Sequence, residues 1–115
     1  MEETIRELKV SWSSEAEIQY YDILLFWIER TKSEKYSEQI ESEVTKIIQI
    51  LKDFPRIGAI YQRKGVRRAI ILSHFSVFYR ILEEENEIEI VAFWDNRNDP
   101  KELASLIPVS YTHLR

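Results

Sequence analysis

Four side chains in the second half of this sequence have the types needed for chemistry at a phosphodiester. Arg68, Arg80 and Arg97 carry guanidinium groups that can neutralise a phosphate, and Asp95 is a carboxylate that can accept a proton. Cleavage of RNA by its own 2′-hydroxyl needs a base, an acid for the leaving oxygen, and cations around the phosphate. The residue types therefore suit strand cleavage, provided that the fold brings them together.

Two further residues have a chemical and a structural interpretation. His74 could shuttle protons, because imidazole titrates near neutral pH, but a histidine in a turn is more often a solvated polar residue. Trp94 could stack on an unpaired base, although a tryptophan at the end of an apolar strand also suits core packing. Arg80, likewise, could pair with a glutamate from the segment 83–89 rather than face a phosphate.

Positive charge is concentrated in one segment of an acidic chain. Residues 54–82 contain six basic side chains and no acidic one, whereas the whole chain has a net charge of −4. These cations can form one positive face, or they can pair with the acids of the helices, and both interpretations remain open. The basic residues of this segment are Arg56, Arg63, Lys64, Arg67, Arg68 and Arg80.

Composition excludes several classes of protein. The chain has 115 residues, which is enough for one compact domain, and it contains no cysteine, so disulfides and thiolate metal sites are impossible. Because the chain also has only two histidines, we expect no metal site, and we expect no cofactor. No apolar run approaches the ~18–20 residues of a membrane span, and the acidic N-terminus is not a signal peptide, so we expect a cytoplasmic protein.

The first half of the sequence predicts a strand followed by two helices. Residues 5–12 alternate in polarity, and Ser13 or Ser14 then caps a helix, with Ser14-x-x-Glu17 fitting a capping box. A break at residues 31–33 starts a second helix, which Pro55 ends. Its apolar stripe has steps of three and four residues and consists of Tyr36, Ile40, Val44, Ile47, Ile48 and Leu51.

The second half predicts three consecutive strands, at residues 66–72, 77–82 and 88–94, and a short helix that Asp99 or Pro100 opens. The order β-α-α-β-β-β predicts an α+β fold, in which a helical hairpin packs on a small, mainly antiparallel sheet. We assign residues 1–108 to this single domain. Residues 109–115 look like the translation of a sequencing adapter, and we expect them to be a non-native tail.

The element order and several local strings resemble the RelE/ParE superfamily of toxins from type II toxin–antitoxin systems. The resemblance spans about residues 5–103. The strings are Val10-Ser11-Trp12-Ser13, Asp53-Phe54-Pro55-Arg56-Ile57-Gly58, Arg67-Arg68-Ala69-Ile70, Phe78-Tyr79-Arg80-Ile81 and Asp95-Asn96-Arg97-Asn98-Asp99-Pro100.

This resemblance implies a small growth-inhibiting toxin that a cognate antitoxin neutralises by wrapping around it. RelE-like members of the superfamily cut messenger RNA in the ribosomal decoding site, whereas ParE-like members inhibit DNA gyrase and are not nucleases. The oligomeric state is left open between a homodimer and a toxin–antitoxin hetero-oligomer.

Departures from the nuclease pattern favour a ParE-like protein that binds DNA gyrase. Asp95 stands where many nuclease members have a histidine, and Asn98 stands where a second arginine would follow Arg97. Ala69 and Ile71 replace lysines of the ribosome-dependent members. An acidic protein also suits the anionic surface of a ribosome poorly. Two alternatives stay open, namely an endoribonuclease that uses Arg68, Arg80, Asp95 and Arg97, and an inactive module that only binds the antitoxin.

For a binding protein, the sequence predicts two contact surfaces. The helical hairpin carries more aromatic side chains than one buried helix face needs, so we expect it to contact the growth target. We expect the arginine-bearing sheet to face the antitoxin. The residues predicted to bind the target or the antitoxin are Arg63, Lys64, Arg67, Arg68, Arg80, Trp94 and Arg97.

Overall fold

A computed structural model of the chain describes residues 8–61 and 65–107. The predictions for the start of the first strand, for Arg63 and Lys64, and for the C-terminal tail lie outside these residues. The elements in chain order are β1 (Lys9–Trp12), α1 (Ser14–Thr31), α2 (Lys35–Asp53), β2 (Ala59–Ile60), β3 (Arg67–Ile71), β4 (Phe75–Leu82), β5 (Glu87–Asp95) and α3 (Pro100–Leu106). The predicted α+β fold is confirmed, with the two-residue strand β2 as an addition.

The five strands form one sheet in the order β1-β5-β4-β3-β2. Strand β1 runs parallel to β5, and the other neighbours are antiparallel. Leu72 and Ser73 have φ angles of 52° and 62°, so the β3–β4 hairpin turns through two left-handed residues. Such turns match the twist of the flanking strands.

A bulge in β5 changes which side chains face the helices. Tyr79 pairs with Ile90 and Phe78 pairs with Ala92, so Val91 is an extra residue without an opposite partner on β4. Because an extra residue reverses the alternation of a strand, Phe93 faces the same core as Ile90. The backbone N–H of Phe93 donates to Gln19 Oε1 of α1 at 2.9 Å.

The start of α1 differs from the capping box predicted at Ser14. Ser13 is the N-cap, and its hydroxyl accepts a hydrogen bond from the Ala16 N–H at 3.1 Å. Ser14 is already the first helical residue. The helix ends at Thr31, and its C-cap Lys32 is left-handed with φ 57° and donates its N–H to the Ile28 carbonyl at 2.8 Å.

The α1–α2 hairpin covers one face of the sheet, which we call the covered face. From the predicted stripe of α2, Ile40, Val44 and Leu51 are buried, and Tyr36, Ile47 and Ile48 pack partly buried against the same core. The opposite side of the sheet, the outer face, carries a second core. Leu103 and Ile107 pack there on Phe78, Val91 and Trp94. Helix α3 therefore covers part of the outer face.

No helix within the described ranges is long and apolar enough to cross a membrane.

Candidate functional site

A polar cluster on the outer face holds Arg68 in place. Its Nε donates to Ser76 Oγ at 2.7 Å, and its Nη2 donates to Asn96 Oδ1 at 3.1 Å. Ser76 Oγ also donates to Asn96 Oδ1 at 2.7 Å. The guanidinium carbon lies 5.7 Å from the centre of the Phe78 ring. The partners of Arg68 in this cluster are therefore neutral, and no carboxylate in the described part of the chain forms an ion pair with it.

Arg80 lies on the same outer face as Arg68, two residues beyond Phe78 on β4. Its Nε donates to Glu89 Oε1 at 2.8 Å, and Glu89 is directly opposite on β5. The two side chains are only 25% and 20% exposed, so the pair is shielded from solvent. This geometry matches the ion-pair interpretation of Arg80, and an anionic partner would have to compete with Glu89 for the guanidinium.

Asp95 and Arg97 form an ion pair on the covered face. Asp95 Oδ1 accepts from the backbone N–H and the Nε of Arg97 at 3.0 and 2.8 Å, and Oδ2 accepts from its Nη2 at 3.0 Å. The guanidinium lies 4.6 Å from the Trp27 ring and 5.2 Å from the Phe75 ring. The hydrogen bonds that Arg97 donates to Asp95 raise the pKa of Arg97, so this arginine stays charged.

The four candidates for phosphodiester chemistry thus separate into two pairs. Arg68 and Arg80 lie on the outer face, while Asp95 and Arg97 lie on the covered face against the helical hairpin. The carboxylate that was considered as a base is already bound to a cation. His74, at the exposed tip of the β3–β4 turn, accepts the Asn96 N–H at 2.7 Å through its backbone carbonyl.

Arg67 is directed at the backbone of the loop before β2. Its Nη1 donates to the carbonyls of Arg56 and Gly58 at 3.1 and 2.8 Å. The buried Tyr79 holds the same loop, because its hydroxyl donates to the Pro55 carbonyl at 2.8 Å and accepts from the Gly58 N–H at 2.9 Å. Burial raises the pKa of the Tyr79 hydroxyl.

Trp94 is also part of the packing, since only 7% of it is exposed and it contacts Leu103 and Ile107 beneath α3. A partner can reach its ring only if α3 moves.

Sequence reasoning missed the neutral partners of the arginines. Ser76 and Asn96 hold Arg68, and Tyr36 Oη lies 3.5 Å from Nη2 of Arg97. Strand alternation gives a usable signal for Ser76, because it lies two residues before Phe78, which is opposite Arg68. The position of Asn96 depends on the bulge in β5, and no local pattern predicts that bulge.

The comparisons with known proteins agree with this architecture. The family model described as "ParE toxin of type II toxin-antitoxin system, parDE" matches residues 10–100. No curated protein sequence matches the chain closely enough to count as a relative.

Among solved structures, the chromosomal ParDE system of P. aeruginosa aligns with a TM-score of 0.63 and 15% identity, covering 77% of this chain and 96% of that one. The toxin–antitoxin complex RelBE2 of Mycobacterium tuberculosis aligns with a TM-score of 0.57 and 14% identity, covering 84% and 100%. A variant of the E. coli toxin RelE in the free state aligns with a TM-score of 0.56 and 11% identity, covering 89% and 95%. These likenesses show a shared fold.

Proposed function

Because this chain belongs to the ParE toxin family of type II toxin–antitoxin systems, we propose that it arrests bacterial growth by binding DNA gyrase. It acts in the cytoplasm, and a cognate antitoxin neutralises it in a hetero-oligomer. The solved neighbours include toxin–antitoxin complexes, which supports the antitoxin as a partner.

The charged residues considered for phosphodiester cleavage lie on opposite faces of the sheet, and this separation favours binding over catalysis. General acid–base catalysis needs the base within about 3 Å of the proton that it abstracts. Asp95 instead has both carboxylate oxygens on Arg97, and the pair lies on the opposite face from Arg68 and Arg80. A nuclease that needs these groups around one phosphate would require a rearranged sheet end, whereas a binding protein requires none.

The two faces suit different partners. The outer face presents Arg68 and Arg80, and with Arg63 and Lys64 nearby in sequence we assign it to the antitoxin. Arg67 is opposite Tyr79 and so lies on the other face, where it supports the antitoxin surface by holding the loop before β2. The hairpin leaves apolar side chains of α1 exposed, and we assign it to the growth target. Trp94 and Arg97 contribute indirectly in this proposal, because they hold α3 and the hairpin in place.

The test is pulse labelling of DNA and protein synthesis in bacteria after induction of the chain without an antitoxin. We expect DNA synthesis to fall first. Purified protein should then inhibit supercoiling by gyrase and leave ribosome-bound messenger RNA intact. An early fall in protein synthesis would contradict the gyrase proposal.

A second candidate function is messenger RNA cleavage, and the cluster around Arg68 favours it. The guanidinium there is held by neutral partners, so its charge is available to a phosphate. Cleavage mapping on translated messenger RNA would detect this activity. Absence of any growth arrest, with antitoxin binding retained, would instead identify an inactive antitoxin-binding module.

A further inference from the structure

Helix α1 exposes an apolar surface on the side that does not pack on the sheet. Ile18, Tyr21, Leu25 and Phe26 are 60%, 52%, 64% and 52% exposed. They follow Ile18 at intervals of three, seven and eight residues, which puts them on the same side of the helix. Large apolar side chains clustered in this way mark an interaction surface rather than ordinary solvated surface.

The same side of α1 is acidic. Glu15, Asp22 and Glu29 follow one another at intervals of seven residues, so they run along the helix between the apolar side chains. The whole helix has four acidic residues and one basic residue, Arg30. A second copy of this chain would bring like charges together here, and that juxtaposition is unfavourable. The complementary partner is a segment that is both apolar and basic.

A cavity opens beside this surface, between α1 and the end of β5. Its volume is about 260 Å³, and it is lined by Asp22, Ile23, Phe26, Trp27, Asp95 and Asn98. The rings of Phe26 and Trp27 meet edge to face, with centroids 5.0 Å apart. Aromatic rings beside a carboxylate favour a cationic side chain, because the ring face and the carboxylate both attract positive charge.

Arg97 already binds in this way, because it is a cation that lies over the Trp27 ring beside a carboxylate. Its guanidinium lies 4.6 Å from that ring and is held by Asp95. Asp95 is thereby neutralised, whereas Asp22 forms no ion pair among the residues that the structure describes. The cavity lining therefore keeps one uncompensated negative charge. Trp27 Nε1 is buried and, within the same described part, has no hydrogen-bond partner.

We propose that this cavity binds the arginine or lysine side chain of a basic amphipathic helix in the protein target. The apolar side chains of that helix cover Ile18, Tyr21 and Leu25, and its cations face the acidic row on α1. This inference rests on the proposed function only in taking the partner to be the growth target. The chemistry of the segment that binds α1 follows from α1 and the cavity alone.

The test uses two peptides of about 20 residues, long enough to be helical. In the first peptide, leucine and arginine each recur every seven positions, which matches the spacing of Glu15, Asp22 and Glu29. The second carries the uncharged isostere citrulline in place of each arginine. We expect the arginine peptide to bind the full chain about tenfold more tightly. It should also shift the Trp27 indole N–H signal saturably in NMR spectra, with the signal assigned through its loss in Trp27→Phe.

Two variants with the same change of charge localise the effect. Asp22→Asn should weaken binding of the arginine peptide about fivefold and leave the citrulline peptide unaffected. Glu17→Gln, on another side of α1 and outside the cavity lining, should change either affinity less than twofold or so. Equal affinity for both peptides, no binding of either, or an unmoved Trp27 signal would each overturn the inference. None of these readouts depends on growth arrest, so failure of the proposed function is detected separately, by pulse labelling.

Discussion

Both carboxylate oxygens of Asp95 accept hydrogen bonds from Arg97, and the pair lies against the rings of Trp27 and Phe75. The residue types of the hexapeptide 95–100 were visible in the sequence, but the face on which Asp95 lies was not. Strict alternation from Ile90 would put Asp95 on the outer face, near Arg68. The bulge at Val91 reverses this alternation and brings Asp95 to the covered face.

Replacing Asp95 distinguishes the two functions at a single residue. Asp95→Asn removes the charge that holds Arg97, and we expect it to lower the free energy of unfolding by about 1–3 kcal/mol. Because the carboxylate has no catalytic role in the proposed function, wild type and folded Asp95→Asn protein should both leave translated messenger RNA intact. The measurements are urea unfolding and cleavage mapping after induction. Cleavage by wild type that is lost in folded Asp95→Asn protein would indicate that Asp95 is a base.

Tyr79 should make stability dependent on alkaline pH. Burial raises the pKa of its hydroxyl in the folded protein, so the stabilising effect is complete below the unfolded pKa of about 10. The effect decreases above that pH, because the unfolded chain then releases the proton and the folded protein retains it. Tyr79→Phe should lower stability near pH 7 by about 1–3 kcal/mol, since the Gly58 N–H loses its acceptor.

Unfolding of wild type and Tyr79→Phe between pH 7 and pH 11 measures this effect. The difference between the two proteins should shrink as pH rises, and a constant difference would contradict the assignment. Gly58→Ala is a companion variant, because a Cβ there would lie 2.5 Å from Tyr79 Oη. It should destabilise the same loop without removing the hydroxyl.

Replacing either member of the Arg80–Glu89 ion pair should change the affinity for the antitoxin, in opposite directions. Arg80→Ala should weaken antitoxin binding, because the outer face loses a cation and Glu89 is left uncompensated. Glu89→Gln should strengthen it by removing the negative charge beside the Arg80 guanidinium. We expect changes of about fivefold in each direction, measured by calorimetric titration with the antitoxin. Changes of the same sign in both variants would exclude the outer face as the antitoxin surface.

At the scale of elements, the helices were predicted well and the sheet less completely. The stripe from Tyr36 to Leu51 repeats at helical spacing, and the structure buries or half-buries each of its members. Local patterns also located β3, β4 and β5. They contain no information on the parallel pairing of β1 with β5, because this pairing joins Lys9 to Glu87 across most of the chain.

The N-terminus of α1 provides a test at this scale, with a matched neighbour. Ser13→Ala removes the hydroxyl that accepts the Ala16 N–H, so we expect a loss of about 1 kcal/mol in the free energy of unfolding. Ser14→Ala removes an exposed hydroxyl at the first helical position and should cost less than about 0.5 kcal/mol. Thermal or urea unfolding of both variants measures the difference, and the reverse order would favour the capping box predicted at Ser14.

For the whole molecule, the net charge of −4 includes uncompensated charges of opposite sign on different sides. Arg68 on the outer face has neutral partners, whereas Asp22 on the exposed side of α1 forms no ion pair within the described residues. Partners of opposite charge can therefore approach from different sides. Raising the ionic strength from about 0.05 M to 0.5 M should weaken both the antitoxin and the basic peptide, because it screens exposed charges. Affinities that do not change with salt would show that apolar contacts dominate.

The pairing of β1 with β5 has a consequence for synthesis of the protein. Strand β1 leaves the ribosome well before its partner β5, Glu87–Asp95, has been synthesised. Contacts between residues so distant in sequence form late and slow folding, since loop closure costs entropy before the strands can pair. The nascent chain therefore cannot complete its sheet until residues 87–95 have been synthesised. This delay gives the antitoxin an interval in which to meet a toxin that is not yet folded.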